Sequence, residues 1–202
     1  MNTTMLVVEL LIAGTQVSVW LVMLVFALFG FDWLRLDLLG GWTGLVVVVF
    51  LAFAYPLGVA IDRLADALYE SWNRKLVKRA LGSQVASVAA LRFEFGKENA
   101  SLDRALEYAR TRVRIMRATS LNMAVSTLVG VALVLARFPE LATRTKAGLC
   151  LAILVAGTAI VVACVLAWRS LTVGYLGLVK ALRGGSQPKG TADPEIPPAA
   201  KL

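Results

Sequence analysis

Histidine is absent from this 202-residue sequence, which removes the commonest metal ligand and the commonest general base. Cysteine occurs twice, at Cys150 and Cys164, fourteen residues apart within one apolar run. There it behaves as a small hydrophobe, so neither a disulfide scaffold nor a thiolate metal site is expected. Charge is scarce too: Asp, Glu, Lys and Arg make up 17% of the residues, against about 25% in an ordinary globular chain. The Walker lysine loop, the nucleophile elbow, the Cys-Cys pair and the dinucleotide glycine fingerprint are all missing. These absences predict no enzyme, no cofactor and no metal.

What is present is apolar: 58% of the residues are hydrophobic and the mean hydropathy is +0.74. Four stretches carry no charge, 10–31, 38–61, 118–136 and 147–168, of 22, 24, 19 and 22 residues. About 20 apolar residues in a helix cross a bilayer core of about 30 Å. The expected fold class is therefore all-α, a polytopic membrane protein with four transmembrane helices. The same arithmetic excludes a soluble enzyme, a disordered chain and a secreted scaffold.

Basic residues divide unevenly between the two sides of such a bundle. With residue 1 inside, the outer loops hold four (Arg35, Arg137, Arg144, Lys146), while 62–117 holds twelve and the chain from Arg169 onward five, a split of 17 to 4. Lys and Arg are retained on the cytoplasmic side, so a cell-membrane, multi-pass protein with both termini cytoplasmic is expected. Trp33 and Trp42 then fall at the outer interface and Trp168 at the inner one. The N-terminal run has no basic residue before it and is too long for a signal peptide, so it reads as a retained helix. The Asn2-Thr3-Thr4 sequon lies on the wrong side for glycosylation.

Four segments follow: a first transmembrane pair over 1–62, a cytoplasmic helical stalk over 63–117, a second pair with an interfacial continuation over 118–183, and a disordered tail over 184–202. In the stalk, Leu64, Leu68, Trp72, Leu76 and Ala80 recur at four-residue steps, with Asp62, Asp66 and Glu70 on another face. Gly82 and Ser83 end this helix, and a short helix or re-entrant piece occupies 80–91. A long helix starts with Ser101 as N-cap and runs to about Ala136. On it Leu102, Leu106, Ala109, Val113 and Met116 form one stripe, and Asp103, Glu107, Arg110, Arg114 and Arg117 another.

The candidate sites are polar groups in apolar surroundings. Glu9 and Gln16 share a face of the first span, and an ionisable group within a membrane is a functional hypothesis by default; the plainer reading is that Glu9 snorkels to water or pairs with Arg63. Asn122, Ser126 and Gly130 repeat every four residues on the third span, either lining a pore or packing helices. Gly148, Ala152 and Ala156, with Ala159 and Ala163, form a second small-residue seam. Arg110, Arg112, Arg114 and Arg117 precede the third span and suit anionic lipid headgroups. Asp62, Asp66 and Glu70 read as an ion-pair ladder with Arg63, Arg74 and Lys78, or as carboxylates of a membrane-surface enzyme.

Two functions follow. The first is an oligomeric channel or pore, or the membrane subunit of a larger assembly whose cytoplasmic helices sense or dock a protein partner. Its polar intramembrane face would be Glu9, Gln16, Asn122 and Ser126. The second is a membrane-surface enzyme or lipid-handling protein using the acids at 62–70. The expected partners are the lipid bilayer, anionic headgroups and further copies of the chain. Nucleic acid is not expected, because the membrane side on which the basic residues sit accounts for them.

Overall fold

A computed structural model of the chain describes residues 3–31, 40–82 and 100–185. The expected short helix from residue 83 onward, the tail beyond Gly185 and Trp33 lie outside the described residues. The order is α1 (Thr3–Phe29), a 3-10 turn (Gly40–Trp42), α2 (Thr43–Leu81), α3 (Ala100–Arg137) and α4 (Thr143–Gly185). The described residues contain no strand, and all four helices are long and apolar enough to cross a membrane. At 1.5 Å per residue α1 measures about 40 Å and the other three about 55–65 Å. Three helices are thus nearly twice as long as a bilayer core requires.

Glycine sets both of the helix ends that carry a left-handed residue. Gly30 and Gly82 have φ of 80° and 82°, a region that L side chains rarely enter. Their amides close the last turns of α1 and α2, on the carbonyls of Phe26 (3.0 Å) and Lys78 (3.1 Å). The break expected at Gly82 is observed. Because α3 begins at Ala100, Ser101 lies inside its first turn and is not the N-cap.

The most extensive packing is α3 against α4, α2 against α1 and α1 against α3, and α2 also meets α3 and α4. The closest approach is between α1 and α2. A Cβ on Gly14 would overlap the carbonyl of Ala54, and one on Gly58 would overlap that of Leu10. Two backbones this near gain dispersion and exclude lipid, as small residues do in membrane helix pairs. This contact fixes the rotation of α2, and an unbroken helix carries its rotation along its length. The face holding Ala54 and Gly58 continues through Ile61, Asp62, Ala65 and Tyr69, all buried. Leu64, Leu68 and Trp72 of the four-residue stripe are consequently turned outward, each more than half exposed, while Leu76 and Ala80 pack against buried residues further along.

Between α3 and α4 the contact is made by Gly157, whose added Cβ would strike the Thr127 side chain. The seam proposed on α4 from Gly148 through Ala163 faces outward instead: Gly148 has open space around it and Ala152, Ala156, Ala159 and Ala163 are exposed. The inward stripe runs through Cys150, Ile153, Gly157, Val161 and Cys164 to Trp168. Both cysteines are free thiols on that stripe.

Beyond the start of α1 the bundle continues as three helices. Leu81 of α2, Leu106 of α3 and Leu176 and Val179 of α4 form a second buried cluster, with Leu76, Val77, Ala80 and Tyr175 against it. Leu106 is fully buried, in keeping with the amphipathic stripe read on α3. The apolar bias after Trp168 is a helical continuation that closes this head. At the opposite end α2 stands apart, with residues 41–49 exposed on every face.

Candidate functional site

Where α1, α2 and α3 come together, the buried residues are polar and charged. Glu9 and Asp62 are 4% and 5% exposed, Asn122 is fully buried and Arg117 is 7% exposed. These groups form two layers.

The first layer is ionic. The Arg114 guanidinium forks onto the Asp62 carboxylate, with Nη2 2.5 Å from Oδ2 and Nε 3.4 Å from Oδ1. Its Nε also lies 3.2 Å from Oε1 of Glu9, close enough for an ion pair although that oxygen accepts no aligned hydrogen bond. One arginine of α3 therefore holds a carboxylate from each of α1 and α2. One turn further along, Arg117 pairs with Asp66. Ser120 Oγ donates to the Arg117 carbonyl at 2.7 Å, which uses its proton. The Tyr69 hydroxyl, 2.6 Å from the same Oγ, must then be the donor to it.

The second layer is neutral. Asn122 Nδ2 donates to the Ala13 carbonyl (3.2 Å) and to Oε1 of Gln16 (3.1 Å), while its Oδ1 accepts from Trp20 Nε1 (3.2 Å). Gln16 Nε2 donates to Thr119 Oγ1 at 3.3 Å. Glu9, Ala13, Gln16 and Trp20 are spaced by four, three and four, so one stripe of α1 supplies every contact. In an apolar medium an unmade hydrogen bond leaves its group with no water to turn to, and this mutual pairing makes the layer tolerable.

Two further features frame the core. Tyr69 meets Trp168 edge-on with ring centroids 4.8 Å apart, and Trp72 approaches the same indole at 6.4 Å. Trp168 is 2% exposed, so it anchors α4 to α2 inside the protein and does not sit at a lipid interface; Trp42 is 63% exposed. At the far end of α3, Arg137 Nε donates to the carbonyls of Phe26 (3.0 Å) and Ala27 (2.9 Å), and its Nη2 to that of Leu28. These are carbonyls of the last turn of α1, that of Phe26 shared with the Gly30 amide, and a cation there also meets the negative end of the helix dipole.

Several sequence expectations change in this light. Glu9 pairs with Arg114 and not with Arg63. The carboxylates at 62–70 do not form a single ladder. Glu70 does pair with Arg74 at 3.3 Å, but Asp62 and Asp66 reach across to α3. Of the polar face, Glu9, Gln16 and Asn122 find partners within the chain, Glu9 on Arg114 and Gln16 on Asn122. Ser126 is half-buried beside them. Gly130 is buried between Met23 and Ile153, with van der Waals room for a Cβ (3.5 and 3.6 Å). The arginine cluster divides: Arg114 and Arg117 point into the core, while Arg110 and Arg112 are exposed. The roles of Arg137, Tyr69, Thr119 and Ser120 were not read from the sequence. The one-turn spacings of Asp62/Asp66 and Arg114/Arg117 are the sequence signal from which cross-helix pairing could have been read.

Chemically, the core holds charges in place. Among the described residues no three His, Cys, Asp or Glu side chains converge to hold a metal ion. Comparison of the chain with protein-family models, with curated proteins and with solved structures finds no match to any of them.

Proposed function

We propose that this chain is a membrane subunit of a larger assembly, held rigid by its ionic core and docking a cytoplasmic protein partner through the three-helix head of α2, α3 and α4. The observation that carries this reading is the inward pairing of Glu9, Gln16, Asp62, Arg114 and Asn122. A channel between subunits would need those groups on its wall, and they are committed to one another. The charge bias of 17 to 4 supports placing the head and both termini in the cytoplasm. In the head, α2 carries exposed charge on Arg74, Lys75, Lys78 and Arg79, a surface fit for a protein partner. Self-association belongs to the same reading, since α2 presents residues 41–49 on every side.

The inward pairing also weighs against the enzyme alternative, because the acids it would use are each held by an arginine: Asp62 by Arg114, Asp66 by Arg117 and Glu70 by Arg74. Native mass spectrometry of the particle solubilised from its own membrane, with conductance recorded after reconstitution, tests the proposal. A reproducible complex with a second polypeptide, lost when Lys75, Lys78 and Arg79 are changed to Glu, is the expected result. A homo-oligomer that conducts ions would overturn it in favour of the channel.

A further inference from the structure

At the level where the ionic core lies, the acids are taken up by Arg114 and Arg117, and further arginines are left outside. The carboxylates of Glu9 and Asp62 are buried, and Asp66 is taken up by Arg117. Arg63, Arg110, Arg112 and Arg169 are exposed at the same level. Arg63 follows Asp62 in sequence, and Arg110 and Arg112 lie within one turn of Arg114. Arg169 follows Trp168, which stacks on Tyr69 beside Ser120. Each of the three long helices thus contributes outward arginine, while nearby Glu70 is paired with Arg74 and Glu107 is half-buried.

We infer that Arg63, Arg110, Arg112 and Arg169 form a collar that binds the phosphates of anionic lipid headgroups. This deepens the membrane-subunit reading and rests on it. The neighbouring side chains favour lipid over an acidic protein surface. Trp72 and Tyr108 are 52% and 56% exposed, Leu64 and Leu68 are also open, and the Arg112 guanidinium lies 5.7 Å over the Tyr108 ring. Exposed aromatic and aliphatic groups interleaved with arginine match the headgroup layer, where the apolar body sinks and the charged tip stays wet. A guanidinium fork suits phosphate oxygens. Toward the apolar side of the collar, Phe53 on α2 and Leu166 on α4 are about 60% exposed, as acyl chains require.

The test uses the full chain in mixed micelles with phosphatidylglycerol or phosphatidylcholine, reading retained lipid by native mass spectrometry. Phosphatidylglycerol should be retained preferentially, and each single Arg→Gln change in the collar should weaken retention by roughly two- to fivefold. The triple variant R110Q/R112Q/R169Q should abolish the preference, R110K/R112K/R169K should keep most of it, and R144Q/K146Q at the opposite end should leave it intact. Equal retention of the two lipids, or equal loss in R144Q/K146Q, overturns the inference. Displacement by millimolar soluble glycerophosphate assigns the collar to free phosphate and overturns the lipid source. Binding of polyglutamate without lipid preference assigns it to acidic protein. Carbonate extraction of the wild type separates the two levels: a chain released from membranes overturns the membrane reading and this inference together.

Discussion

Asn122 uses both ends of its amide on α1, donating to Ala13 and Gln16 and accepting from Trp20. Replacement by leucine keeps the volume and leaves those three groups without a partner in an apolar medium. Asn122→Leu should lower the unfolding free energy of the detergent-solubilised protein by about 2 kcal/mol, without changing its mass as a particle. A shift in oligomeric mass would instead place this amide at a subunit boundary. Arg114 tests the ionic layer. Arg114→Gln strands two carboxylates that are about 95% buried, and breaking a buried pair costs about 3–5 kcal/mol. Arg74→Gln removes an exposed i,i+4 pair to Glu70 and should cost less than about 1 kcal/mol. Thermal unfolding of the two variants side by side distinguishes a core charge from a surface one. The sequence made Glu9, Gln16 and Asn122 visible as misfits in apolar runs. Their partners were not legible, because hydrogen-bonding groups over 100 residues apart carry no local mark of each other.

For a whole helix, the decisive quantity is rotation. The four-residue stripe of leucines on α2 and the face that α2 buries differ because Gly58 and Ala54 seat on α1 first. That contact orients every residue after it. The stripe from Leu64 to Trp72 is a real amphipathic pattern, but its apolar side meets the surroundings and not the core. Gly58→Leu should therefore misplace Asp62 and Tyr69 as well as separate two helices. The expected outcome is loss of most folded protein in a detergent-stability assay. Gly148→Leu, in open space, should be indistinguishable from wild type. The extents of the four apolar helices and the stop at Gly82 were legible, since length and composition report on them directly. Which seam of small residues packs was not, because alanine and glycine are common along α4 and only close approach gives one of them meaning.

Across the molecule, the bundle of four apolar helices continues at one end as three without α1. If the basic bias fixes the orientation, reporters fused after residue 40 should be external, while fusions near residue 90 and at the C-terminus should be cytoplasmic. An external signal from the fusion near residue 90 would invert the molecule and move the head and collar to the other leaflet. The fold class was legible at this scale. The placement of charge, with Glu9 and Asp62 buried against Arg114 and other arginines left outside, needed the helices in place.

The polar stripe of α1 has a consequence for how the chain is made. Every hydrogen bond from Gln16 and Trp20, the ion pair of Glu9 and the carbonyls met by Arg137 wait for residues 102 to 111 positions downstream. At 5–20 residues per second, that is a delay of roughly 5–20 s. For the last part of it, once α2 is complete at Leu81 and before Arg114 is made, a nascent hairpin of α1 and α2 sits at the membrane with Glu9, Gln16 and Asp62 lacking their α3 partners. Such a hairpin should be a substrate for whatever holds or removes unfinished membrane proteins. A chain stopped at residue 99 should be degraded quickly, whereas one stopped at residue 142, which adds α3, should persist. Pulse-chase comparison of the two reads the difference, and equal lifetimes would mean that α1 finds other partners while it waits.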